Sequence, residues 1–100
     1  MNLGNTIKNI RSKRGVRQNE LAECSKLSQT YLSQIENNQK EPNISTLKQI
    51  CACLDVPLPV VFFMSLDEDD VQGNKKEAFK LVAPAINNFI SEFFISTEVS

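Results

Sequence analysis

"QNELAECSKLSQTYLSQIE", residues 18–36, holds two short apolar patterns separated by Ser25-Lys26-Leu27. Both have helical spacing: Leu21 and Ala22 in the first, Leu32 and Ile35 in the second. Three residues are too few for a loop, so the two helices meet at a tight turn. Ser28 stands where a hydroxyl can accept one of the orphan N–H groups of the second helix. That helix, about residues 28–37, carries Gln29, Thr30, Ser33 and Gln34 on the side opposite Leu32 and Ile35. A solvated helix normally carries Lys and Glu there. Short side chains that both donate and accept hydrogen bonds suit base edges in a major groove, which is about wide enough for one helix.

Working outward, Leu3, Ile7 and Ile10 repeat at helical spacing and Gly15 ends the pattern, which predicts a first helix over about residues 3–13. The next two helices are the pair already described, the earlier over about 18–25. Residues 37–42 form a polar loop in which Asn38 tolerates a left-handed backbone. Asn43 caps a fourth helix with Ile44, Leu47, Ile50, Cys51 and Leu54 on its apolar face, and Val56-Pro57 stops it. The apolar run 58–64 predicts a short fifth helix. The expected fold is all-α: a five-helix unit over residues 1–66, an acidic linker over 67–74, and a C-terminal segment over 75–100.

That last segment is Phe-rich. Phe79, Val82, Ile86, Phe89 and Phe93 step by 3, 4, 3 and 4, the spacing of a helical seam, with Ile90 beside them. Pro84 inside the pattern predicts a kink or a fresh helix start. So apolar a face marks an interface. Phe79, Val82, Ile86, Phe89, Ile90 and Phe93 are expected to pair two copies of the chain, since two-fold DNA sites call for two reading helices about 34 Å apart. Docking on the chain's own helices is the alternative.

Net charge is −1, yet its distribution is uneven. Residues 1–48 carry eight basic against four acidic groups, a balance of +4, and the remainder carries −5. A basic front half points to an anionic partner. Arg17, Gln18, Ser28, Asn37 and Lys40 flank the polar face and are the candidate phosphate contacts, Gln18 at the positive end of a helix. Enzyme chemistry has no foothold: histidine is absent, and there is neither a metal-ligand cluster nor a phosphate-cradling glycine loop. No cofactor or metal is expected. The three cysteines are an odd number without an export signal, so a disulfide framework is not expected, and Cys51 reads as a buried hydrophobe. No run approaches the ~20 apolar residues of a membrane span. A cytoplasmic, nucleoid-associated protein without a membrane partner is expected.

At this point the chain resembles a known family, the phage-repressor and Cro group of helix-turn-helix proteins, also called the XRE family. The resemblance covers residues 3–65 and rests on Gln18, Leu21-Ala22, Leu27-Ser28, Leu32-Ser33, Ile35-Glu36-Asn37, Pro42 and Thr46-Leu47. It implies a five-helix, lambda-repressor-like domain that binds operator DNA as a homodimer. It also implies an ion pair between Arg11 and Glu36 that ties the first helix to the third. Three positions depart from the family pattern. Arg17 stands where a capping Ser or Thr is usual, Lys26 where the turn carries Gly, and Asn38 at a second frequent Gly.

The expected function is thus sequence-specific regulation of transcription, as a repressor, with Gln29, Thr30, Ser33 and Gln34 as base contacts. Two alternatives stand beside it. One is the antitoxin of a toxin–antitoxin pair, with a protein partner (a toxin or an antirepressor) held by the C-terminal helix. The other is a protein-interaction module that no longer binds DNA.

Overall fold

The computed structural model describes residues 1–95; residues 96–100 of the predicted C-terminal segment lie outside it. The elements are α1 (Leu3–Lys13), α2 (Gln18–Cys24), α3 (Gln29–Glu36), α4 (Ile44–Leu54), α5 (Leu58–Ser65) and α6 (Lys76–Ile90). No strand occurs among the described residues.

The caps lie where polar residues precede apolar periods. Asn2 accepts from the Asn5 N–H, Ser28 from Tyr31 and Asn43 from Thr46. Each satisfies an N–H group that the helix itself leaves without a partner. Arg17 stands at the N-cap of α2 and has no acceptor to offer. The reciprocal half of a capping box remains, with Glu20 Oε1 accepting from the Arg17 N–H at 2.9 Å.

The turn between α2 and α3 is made by Lys26 in the left-handed region, φ 60°. Asn38 after α3 has φ 59°, as its residue type predicts. Asp55 at the end of α4 has φ 55°, which the apolar pattern did not signal.

Apolar faces meet in one core. Ile7 and Ile10 of α1, Leu21 of α2, Leu32 and Ile35 of α3, Ile50 and Leu54 of α4, and Val61 of α5 are all buried. α1 packs on α3 and α5, and α2 on α3 and α4. α5 leaves α4 at 101°, which closes the core. Gly4 permits the closest approach. A Cβ on it would stand 2.2 Å from the Ile35 carbonyl and 2.7 Å from that of Glu36, so only glycine lets α1 lie against the end of α3.

Between α5 and α6 the chain forms 3-10 turns at Glu68–Asp70 and Gly73–Lys75. Two expectations require correction. α6 does not restart at Pro84: it runs from Lys76 to Ile90 and continues as a π-helical turn, Ser91–Ile95. Finally, Cys24 and Cys53 are joined by a disulfide across 29 residues of sequence. Packing of α2 on α4 brings them together, and spacing along the chain carries no trace of that. Cys51 is buried as expected, and its burial pushes the thiol up to about 11.

Candidate nucleic-acid interface

The polar face of α3 is held from beneath by a chain of side chains. Arg11 donates from Nε to Glu36 Oε2 at 2.8 Å and from Nη2 to Glu36 Oε1 at 3.1 Å. A third donation, from Nη1, reaches the Val16 carbonyl at 3.0 Å. Glu36 Oε1 also accepts from Gln18 Nε2 at 3.1 Å, and Gln18 Oε1 accepts from Gln29 Nε2 at 3.3 Å. The series Arg11–Glu36–Gln18–Gln29 starts in α1, passes the last turn of α3 and the first turn of α2, and returns to the first turn of α3. It fixes the rotation of α3 against α2 from both ends. The side chain of Glu36 is 1% exposed and that of Arg11 13%, so the pair is screened from water.

Gln29, Thr30, Ser33 and Gln34 line one shallow polar concavity together with Gln18 and Gln39. Gln29 and Thr30 are exposed, while Ser33 and Gln34 are half-buried. The four predicted base-contact residues are thus brought together. Gln39 joins them because the chain turns back over α3: its N–H donates to the Gln34 carbonyl at 2.8 Å. No periodicity placed it there.

The predicted phosphate contacts divide. Arg17, Asn37 and Lys40 are exposed at the ends of the face. Asn37 also donates to Ser33 Oγ at 3.4 Å. Ser28 Oγ accepts from Tyr31 N at 3.0 Å, which leaves its hydroxyl hydrogen to donate elsewhere. The Gln18 side chain is engaged with Glu36 and Gln29 while it lines the concavity, and its backbone N–H is one of those in the first turn of α2 that the helix itself leaves without a partner. Asn38 has a structural task unseen in the sequence. Its Oδ1 accepts from the Gly4 N–H at 3.0 Å and its Nδ2 donates to Asn2 Oδ1 at 2.8 Å, so it clamps the start of α1 to the end of α3.

α6 is docked along one side and bare along another. Ile90 and Ile95 are buried in the common core, and Arg14 in the segment after α1 donates to the carbonyls of Asp55 and Phe94. Ile90, expected at an interface between copies, is therefore part of the chain's own core. Val82, Ile86, Phe89 and Phe93 remain exposed, Phe93 at 69%, and Phe79 is half-buried. Leu81 is 80% exposed and lay off the predicted seam. The rings of Phe89 and Phe93 lie 4.5 Å apart, centroid to centroid.

A tight α2–turn–α3 unit with a polar outer face, seated on a small helical core, defines a helix-turn-helix protein. The family model for the helix-turn-helix matches residues 7–61, and the chain belongs to that family. Its members are DNA-binding proteins and not enzymes. The chain is 33% identical over 79 residues to the immunity repressor protein of Bacillus phage phi105, covering 77% of this chain and 55% of that protein. It is 36% identical over 59 residues to the transcriptional regulator ClgR of Mycobacterium tuberculosis, covering 59% and 53%. It thus spans about half the length of both. The HTH-type transcriptional regulator SinR of Bacillus subtilis matches at 32% over 91 residues, 90% of this chain and 82% of that protein.

Among solved structures, the clp gene regulator ClgR of Corynebacterium glutamicum superposes with a TM-score of 0.59 at 35% identity, over 60% of this chain and 78% of that one. A second structure of ClgR from the same organism superposes over 90% and 87% with a TM-score of 0.62 and, at 24% identity, shares the fold. Among the described residues no single helix is long and apolar enough to cross a membrane.

Proposed function

We propose that this chain is a sequence-specific regulator of transcription, a cytoplasmic repressor that reads double-stranded DNA as a homodimer. The observation that carries the reading is the side-chain series from Arg11 to Gln29, because it holds a row of amides and hydroxyls in a fixed orientation. A preset polar face on a helix is what base-edge readout needs. In this reading Gln29, Thr30, Ser33 and Gln34 meet bases. Arg17, Lys40, Asn37 and Ser28 meet phosphates, together with the backbone N–H of Gln18. The immunity repressor among the relatives favours repression over activation. Residues 1–66 act as the reading unit, and the exposed stripe Val82, Ile86, Phe89 and Phe93 of α6 joins two copies, with Leu81 at its border.

The test is selection of bound fragments from genomic DNA, followed by footprinting. Gln29→Ala and Gln34→Ala are expected to fold normally and to lose ten-fold or more of the preference between operator and random duplex, each bidentate amide–adenine pair being worth about 1–3 kcal/mol. Unchanged preference in both variants would remove α3 as the reading helix. For the dimer, Phe89→Asp and Phe93→Asp leave Ile90 and Ile95 in the core, so light scattering separates loss of pairing from loss of fold. A wild-type chain that is monomeric at micromolar concentration would overturn that part.

A further inference from the structure

Cys24 closes α2, the first helix of the reading unit, and Cys53 lies in the last turn of α4. Their Cα atoms are 6.0 Å apart, within the range that one disulfide spans without moving the backbone. The bond closes a loop of residues 24–53, which contains all of α3 and the connection to α4. The two cysteines differ in access: Cys24 is exposed and Cys53 half-buried. Cys51, two residues before Cys53 and so on the other side of α4, is sealed in the core at 4% exposure. A protein that acts on DNA inside the cell works among small thiols, where a disulfide with one exposed sulfur exchanges and is seldom a permanent staple.

We infer that Cys24 and Cys53 form a reversible thiol–disulfide site that exchanges with small-molecule disulfides of the glutathione type and, when closed, stabilises the seat of the reading helix. The Cys24 thiolate attacks the small disulfide. A mixed disulfide forms and one small thiol leaves. The Cys53 thiolate then attacks the Cys24 sulfur and expels the second small thiol. Two electrons pass from the protein to the reagent, which leaves as two thiols carrying the two protons. Excess small thiol runs both steps backwards. Cys51 stays outside the exchange because its sulfur is buried and its thiolate is disfavoured at neutral pH.

The exchange site stands on the Cys24–Cys53 geometry together with the intracellular setting of the function proposed above, and its consequence for DNA rests on that same function. The full chain is equilibrated in glutathione buffers of varied oxidised-to-reduced ratio at pH 7, trapped with iodoacetamide and weighed. Cys24 and Cys53 are expected to pass from unlabelled to labelled together within the range of ratios, with Cys51 unlabelled throughout. The closed form should melt about 10 °C above the open form, since the cross-link restricts the unfolded chain. Cys24→Ser and Cys53→Ser should each abolish the shift, and Cys51→Ala should keep it. A pair labelled at every ratio, a pair closed at every ratio, or equal melting temperatures would each overturn the inference. Between the two melting temperatures only the closed form should protect operator DNA. Protection by neither form, with the melting shift intact, would count against the DNA reading and leave the exchange site standing.

Discussion

Arg11 and Glu36 meet side-on across the packing of α1 against α3, two guanidinium nitrogens on two carboxylate oxygens at 2.8 and 3.1 Å. The carboxylate is buried, so its charge depends on Arg11 and Gln18 to replace water. Arg11→Ala strands that charge and is expected to cost about 3–5 kcal/mol. Glu36→Gln leaves a neutral amide and should cost less. Urea unfolding of the two variants gives the order directly. Equal and small losses would mean that water reaches the pair.

Gly4→Ala sets two effects against each other. Alanine gains about 1 kcal/mol of helix propensity over glycine. Its Cβ, however, would press on the Ile35 and Glu36 carbonyls, which are backbone and cannot rotate away. Overpacking of this kind costs about 1–3 kcal/mol, and at 2.2 Å the upper end applies. Thermal unfolding should show a clear fall in stability, where a propensity argument alone predicts a rise.

Lys26 and Asn38 share a left-handed backbone and should respond oppositely to glycine. Lys26→Gly relieves about 1 kcal/mol of strain, and the Lys26 side chain makes no hydrogen bond among the described residues, so the protein should become more stable. Asn38→Gly relieves less strain and removes the bonds to Gly4 and Asn2, so it should become less stable by about 1 kcal/mol. Denaturation midpoints of the two variants should move in opposite directions.

The Cys51 thiol offers a pH test. Burial raises it to about 11 in the folded chain, above the ordinary thiol value that holds after unfolding. Below the ordinary value both states are protonated and the stability is fully present. Between that value and about 11 the unfolded chain loses its proton and the folded one keeps it. Stability therefore falls as pH rises through this window, by up to about 1.4 kcal/mol per pH unit. Wild type should lose stability faster than Cys51→Ala between pH 9 and 11. Parallel curves would show that the thiol ionises freely in the folded state.

The helices were legible from Leu, Ile and Val spacing because each buries one face, and burial imposes the period of the helix on the sequence. The four polar residues of α3 were legible for the converse reason: a face kept out of the core must be explained by something else. What the sequence determined by itself was therefore the inventory of α1 to α5, the Ser28 and Asn43 caps, the left-handed turn at Asn38 and the outward row from Gln29 to Gln34. What only tertiary structure decided was contact between segments distant along the chain. The seat of Ile90 in the core, the 2.2 Å clearance at Gly4, the clamp from Asn38 to Asn2 and the union of Cys24 with Cys53 all arise where two helices cross. Periodicity records which side of a helix is dry, but the partner that dries it is selected by the packing of the whole chain.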